Sequence, residues 1–231
     1  MAEQPIPSIG IVVPLLNESR ALPSLLAELA GVGADKVLFV DGGSDDGTRE
    51  LLQRSGVNWM ASEPGRAVQM NAGADHVHCD VLLFLHADTL MTAAHVDDVR
   101  RCMADPACVG GRFDVRLTGR HPLLPLVARM MNLRSRLTRI STGDQAMFVR
   151  RKQFDALGGF PPQPLMEDIE LSRRLKRRGR ICCLGRIVTT SGRRWQQHGL
   201  WSTIALMWML RLRYWLGADV ARLAARYRQV R

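Results

Sequence analysis

Val81-Leu82-Leu83-Phe84-Leu85-His86-Ala87-Asp88-Thr89 runs apolar for five residues and then stops on side chains able to meet a metal ion. A short, unbroken apolar run of this kind suits a strand buried on both faces, as in a mainly parallel sheet covered by helices. His86 and Asp88 then fall just past the carboxyl end of the strand, the edge at which open α/β sheets bind their ligands. Taken alone the stretch fits an ordinary Asp turn equally well.

Upstream of it the same grammar repeats. Ile9 to Val13 reads as a strand ended by Pro14 and the polar group Asn17, Glu18, Ser19, and Leu22, Leu25, Leu26 and Leu29 follow at helical spacing. Val37 to Val40 is a second strand, Asp41 to Thr48 a turn-rich loop, and Arg49 to Arg54 a helix. Val57 to Ala61 and a helix over Arg66 to His76 complete the series. Alternating strands and helices imply parallel βαβ units with right-handed crossovers. No GxGxxG or GKS/T is present, so neither a dinucleotide fingerprint nor a P-loop is claimed.

After a helix at Ala93 to Met103 the pattern changes. Val109 to Leu117 alternates apolar and charged residues as a half-exposed antiparallel strand does, and Leu123 to Leu137 is helical with Leu126, Met130 and Leu133 on one stripe. Gln145 to Val149 reads as a strand and Arg150 to Leu157 as a short helix. A proline-rich loop then presents Met166-Glu167-Asp168 to a helix with acids in its first turn and arginines in its last, which complements the helix dipole. Asp168 shares the face of Leu171 and Leu175, so it points inward, where a carboxylate needs a cation, a hydrogen bond or a raised pKa. Ile181 to Leu184 and Ile187 to Thr190 read as two short strands.

The composition narrows the class. With 46% hydrophobic and 23% charged residues in 231, disorder and fibrous structure are excluded and one elaborated domain is expected. Five cysteines without CxxC spacing argue for reduced thiols, and Met1 to Ser8 has no signal-peptide pattern, which together suggest the cytoplasm. The net charge of +10 conceals a division: residues 1–115 carry 8 Lys and Arg against 16 Asp and Glu, and residues 116–231 carry 24 against 6. An acidic half suits a bound cation and a basic half suits anionic partners. Residues 200–216 are apolar with three tryptophans and two late arginines, too short before Arg211 to span a bilayer, which takes about 20 apolar residues. Two readings stand for it: a helix packed on protein, or one lying on an anionic membrane surface at the inner face of the membrane.

Together these pieces resemble the family 2 glycosyltransferases of the GT-A fold, over Ile9 to about Trp195. The carriers are Val12-Val13-Pro14-Leu15-Leu16-Asn17-Glu18, Val40 to Thr48 with its leading Asp41, Pro64-Gly65-Arg66, His86-Ala87-Asp88, Glu167-Asp168 and Arg194-Trp195. Gly143-Asp144-Gln145 adds a likeness to a compact bacterial branch of the family. The resemblance implies one domain over 1–231: a donor-binding half (1–115), an acceptor and catalytic half (116–198) and C-terminal amphipathic helices (199–231). It implies inverting transfer from a nucleotide diphosphate sugar, with Pro14, Glu18, Asp41, Arg66, Asp88, Arg194 and Trp195 on the donor and Asp168 as general base. Asp88 would hold a divalent cation, Mn²⁺ or Mg²⁺. His86 stands where the family has an acid, and as a ligand it would favour Mn²⁺. The acceptor is left open, a lipid-linked or otherwise anionic molecule approached from the basic half.

Two rival readings are weaker on the residues. A sugar nucleotidyltransferase should carry a glycine-rich basic loop after its first strand, which Pro14 to Glu18 lacks. A basic protein binding nucleic acid or lipid through Arg173 to Arg180 leaves Asp41, Asp88 and Asp168 unexplained, so no nucleic-acid partner is expected.

Overall fold

The apolar run that opens the sequence reading is the centre of one eight-stranded sheet. The structure, a computed structural model, describes residues 6–193, 195 and 199–229. Its strands are β1 (Ile9–Leu15), β2 (Lys36–Asp41), β3 (Trp59–Ala61), β4 (Val81–Phe84), β5 (Thr89–Leu90), β6 (Cys108–Thr118), β7 (Phe148–Arg150) and β8 (Arg180–Ser191). They lie in the order β3-β2-β1-β4-β7-β6-β8-β5. The first four in that order are parallel, β7 is antiparallel to both β4 and β6, and β6 runs parallel to β8.

Alternation along β1 and β4 divides the core into two layers. Ile9, Ile11, Val13, Val81 and Leu83 face α1 (Leu22–Leu29) and α4 (Ala93–Met103), which contribute Leu25 and Val96. Val12, Leu82 and Phe84 face α3 (Arg66–His76), which contributes Met70 and Ala74. At Gly73 a Cβ would stand 2.4 Å from a Val12 methyl, so this glycine lets α3 lie against the sheet. The remaining helices are α2 (Thr48–Ser55), α5 (Leu124–Thr138), α6 (Arg151–Ala156), α7 (Glu167–Leu175), α8 (Leu200–Trp215) and α9 (Val220–Gln229).

Several expectations change. The first strand continues through Pro14 to Leu15, whose carbonyl still accepts from Gly42 N–H at 2.9 Å. The expected strand 145–149 becomes a 3-10 turn, Gly143–Gln145, followed by β7. The two short strands near 181 and 187 are one strand, β8, with a register shift between Phe113 and Asp114 on its partner. Strand β6 is buried over its first six residues and half-exposed only at its end, because β7 and β8 flank it as a central strand. Its span also crosses the 115/116 division, so the change in charge does not coincide with a break in the sheet.

Helix α5 has the largest surprise. Its Leu126, Met130, Leu133 and Leu137 are exposed, while Leu124, Val127 and Ala128 pack with Leu117 and Leu200. Two apolar stripes share one helix, and the sheet takes the other one. Helix α8 does the same: Trp201, Ala205, Trp208, Leu212 and Trp215 are exposed at a 4-3-4-3 spacing, while Leu210 is buried with Met166 and Leu223. Among the described residues no helix is long and apolar enough to cross a membrane.

Candidate functional site

The carboxyl ends of β1 and β2 are tied into one loop surface. Asn17 N–H donates to Ser44 Oγ at 2.9 Å, Asp45 N–H to Asn17 Oδ1 at 3.0 Å, and Glu18 N–H to Thr48 Oγ1 at 3.0 Å. Asn17 takes φ 57°, a left-handed conformation that asparagine tolerates. From α3, Gln69 reaches beneath these loops and donates to the carbonyls of Leu15 at 2.7 Å and Val40 at 2.8 Å. Sequence reading missed Gln69, since a buried glutamine on an otherwise apolar face gives no signal of its own.

Asp41 is fully buried, and its carboxylate accepts from the N–H groups of Gly43 and Ser44, from Ser44 Oγ and from Arg49 Nε at 2.6 Å. Burial pushes its pKa up, but the Ser44 and Arg49 hydrogen bonds outweigh it and hold the group below the ordinary carboxylate value. With its oxygens so engaged, Asp41 shapes the 41–48 loop. Pro14 is buried inside β1, and the neighbouring Glu18 is half-buried at the loop.

Beyond β4 the chain enters the candidate pocket. Met70, Phe84, Met147 and Phe160 form its apolar wall, and His86, Gly143, Glu167 and Asp168 its polar side. His86 Nδ1 lies 3.4 Å from Asp144 Oδ1, which orients the imidazole. Gly143 N–H donates to Asp168 Oδ2 at 2.8 Å, and Ile169 N–H to Oδ1 at 2.7 Å. The 3-10 turn thus ties His86 and Asp168 together, and Gly143 is packed against the ring so closely that a Cβ would stand 2.2 Å from His86 Cε1. Gly143 and Asp144 carried only a branch likeness in the sequence, with no role attached.

The inward orientation expected of Asp168 falls chiefly on its neighbour. Glu167 is 5% exposed, whereas Asp168 is half-buried where its helix face opens into the pocket. Burial first, then the Asp168 charge, push the Glu167 carboxyl up, with Arg66 opposing. Arg66, at the start of α3, is exposed and lies within electrostatic reach of Glu167, Asp144 and Asp168. Burial works against its charge, but Glu167 above all, with Tyr227, Asp144 and Asp168, holds it protonated.

Asp88 is half-buried and accepts from Thr190 Oγ1 at 3.3 Å. Among the described residues neither Asp88 nor His86 belongs to a group of three or more acidic, histidine or cysteine ligands. A hard cation that takes few protein ligands and completes its shell with phosphate and water fits such a sparse set. The group of three potential ligands that does form is Cys102, Cys108 and Cys182, with Cys108 and Cys182 sulfurs 2.8 Å apart in the core. Of the remaining residues, Trp195 packs with the cluster of Leu117, Leu124 and Leu200, and Arg194 lies outside the described residues.

Comparison with known proteins gives the following. The model of glycosyl transferase family 2 matches residues 10–158. Glycosyltransferase AglJ of Haloferax volcanii is 34% identical over 84 residues, 35% of this chain and 27% of that protein. Mannosyltransferase PcManGT from Pyrobaculum calidifontis, solved with GDP-Man and Mn²⁺, superposes with a TM-score of 0.63 at 18% identity, covering 79% of this chain and 56% of that one. TarS 1-349 of S. aureus with UDP-GlcNAc gives 0.63 at 17% identity, covering 80% and 58%. This chain therefore spans little more than half the length of those two structures, and at such identity the likeness speaks to the fold, which is of the GT-A type expected.

Proposed function

Since the chain belongs to glycosyl transferase family 2, we propose that it moves a sugar, with inversion, from a nucleotide diphosphate sugar to an acceptor hydroxyl. The observation that carries this reading is the pocket in which the 3-10 turn holds Asp168 beside His86 and next to buried Glu167, with Arg66 within electrostatic reach of both acids. In the transfer the acceptor oxygen bonds to the anomeric carbon, the bond from that carbon to the diphosphate breaks, and its electron pair leaves with the nucleotide.

Asp168 receives the acceptor's proton. Its two oxygens each accept one backbone N–H, which fixes the carboxylate and leaves lone pairs for the incoming hydroxyl. Glu167, its carboxyl pushed up by burial and by the Asp168 charge, lies beside the base and is opposed by Arg66. Arg66 faces the donor's diphosphate, and the loops organised by Pro14, Glu18 and Asp41 receive the nucleoside. Asp88, with His86 near it, would hold the divalent cation, Mn²⁺ or Mg²⁺, which when bound neutralises charge on the departing diphosphate. Arg194 and Trp195 are assigned to the donor on the sequence likeness alone.

The exposed tryptophans of α8 support contact with an anionic membrane surface, because they stand in a half of the chain where 24 basic residues face 6 acidic ones. Vesicle sedimentation with and without anionic lipid tests that contact. For the chemistry, the purified protein is given a panel of nucleotide sugars with Mn²⁺ or Mg²⁺. Asp168→Asn should lower transfer by about 10²–10⁴-fold with donor binding retained. Full activity in that variant would sink the base assignment, and donor binding indifferent to chelator would remove Asp88 from the metal.

A further inference from the structure

Arg134 on α5 and Arg211 on α8 come from helices more than sixty residues apart in sequence, yet each guanidinium feels Asp168 and Asp144 at the pocket. Buried N–H groups normally find an acceptor. Here Arg134 Nε and Nη2 and Arg211 Nε are buried with no hydrogen-bond partner among the described residues. The nearby carboxylates do not supply one: Asp168 is held by the backbone of Gly143 and Ile169, and Asp144 lies against His86.

We propose that Arg134 and Arg211 form the seat for a phosphate group carried by the acceptor. The inference rests on the transferase reading, for it names the acceptor class of that same pocket. Two like charges within electrostatic reach of each other and with unpaired donors are a poor structural device, whereas a phosphate accepts several N–H groups from planar guanidinium forks and offsets their charge. Burial first, then the charge of Arg211, push Arg134 down to about 10, which is the strain an anion would relieve. The position favours the acceptor over the donor. Both arginines stand on α5 and α8, the helices with exposed apolar stripes, while Arg66 and Asp88 stand at the ends of the parallel strands. Asp168 is within electrostatic reach of Arg134 and Arg211 on one side and of Arg66 on the other. The phosphate is a handle, and a hydroxyl elsewhere on the acceptor remains the nucleophile.

The test is thermal unfolding of the full chain with inorganic phosphate, in the presence of saturating nucleoside diphosphate and Mn²⁺ so that the donor site is already filled. Phosphate at a hundredfold excess over its Kd should raise Tm by about 5–10 °C above a chloride control of equal ionic strength. Arg134→Met and Arg211→Met should abolish that shift, and in phosphate-free buffer each should melt at or above the wild-type temperature. A merely structural arginine would lower it instead. Should a methionine variant fail to fold, Arg134→Lys and Arg211→Lys keep the charge, lose the fork and should weaken the shift. No shift in the wild-type chain, or an undiminished shift in the variants, overturns the proposal. The nucleotide shift is read separately, so its loss would count against the transferase reading and not against the anion seat. Phosphatidylglycerol vesicles set against glycerol 3-phosphate then tell a membrane phosphate from a free one.

Discussion

Gly143→Ala is the most telling single change, because it adds one methyl group at the point where the two halves of the pocket meet. The new Cβ would stand 2.2 Å from His86 Cε1 and 2.3 Å from Nε2, whereas carbon contacts settle at about 3.5–4.0 Å. The imidazole or the 3-10 turn must therefore retreat by more than about 1 Å. If the ring moves, it leaves Asp144; if the turn moves, the Gly143 N–H that fixes Asp168 moves with it. Overpacking of this sort costs about 1–3 kcal/mol, or a fall in Tm of about 2–12 °C for a chain of this size. A displacement of 1 Å at reacting groups costs about 10²-fold in rate. The assay pairs thermal unfolding with kcat/KM for transfer from the best nucleotide sugar. Gly31→Ala, where a Cβ meets nothing within 4 Å, is the control. Adding His86→Ala to Gly143→Ala should restore the lost Tm, since the ring that clashes is gone. Wild-type Tm and kcat/KM in Gly143→Ala would refute the account of the turn as the common support of His86 and Asp168.

Gln69→Leu leaves the carbonyls of Leu15 and Val40 without their donor, and urea unfolding should show a loss of about 1–3 kcal/mol. Burial and the Asp168 charge raise the folded pKa of Glu167 above the ordinary glutamate value, so its favourable effect is complete below that value and is lost as pH rises through the folded pKa. Glu167→Gln should therefore gain Tm over wild type at pH 7 and gain less, or nothing, at pH 4. Replacing Trp201, Trp208 and Trp215 together by alanine should abolish sedimentation with anionic vesicles and leave stability within about 0.5 kcal/mol per site, because they are 72%, 68% and 86% exposed. A large loss of Tm in that variant would assign them to packing.

What the sequence disclosed was local. The bounds of α3 and α4 and the centres of β1, β2 and β4 follow from periodicity, since each buries its own side chains against the next element along the chain. The motif residues at the ends of those strands were named from the resemblance to the family, not from periodicity. Features made by distant partners were not. Cys108, Cys182 and Cys102 meet only because β8 pairs with β6 and α4 packs beneath them. Helix α5 carries two apolar stripes of similar strength, and only the position of Leu117 and Leu200 decides which is buried. Arg134 and Arg211 look like ordinary members of an arginine-rich half until the fold brings both within electrostatic reach of Asp168 and Asp144.

Met166 carries one more consequence. It adopts φ 64° immediately before Glu167-Asp168, a left-handed backbone that costs a residue with a Cβ about 1–2 kcal/mol. Such a conformation persists only where the surroundings over-determine it, and here those surroundings are Leu210 of α8 and Leu223 of α9, with Tyr214 donating to Glu170 at 3.2 Å. The last two helices, though remote in sequence from the pocket, thus act as a clamp on the first turn of α7. A change that loosens α8 from the body of the protein is therefore expected to let Met166 relax and to shift the first turn of α7, Glu167 and Asp168 with it.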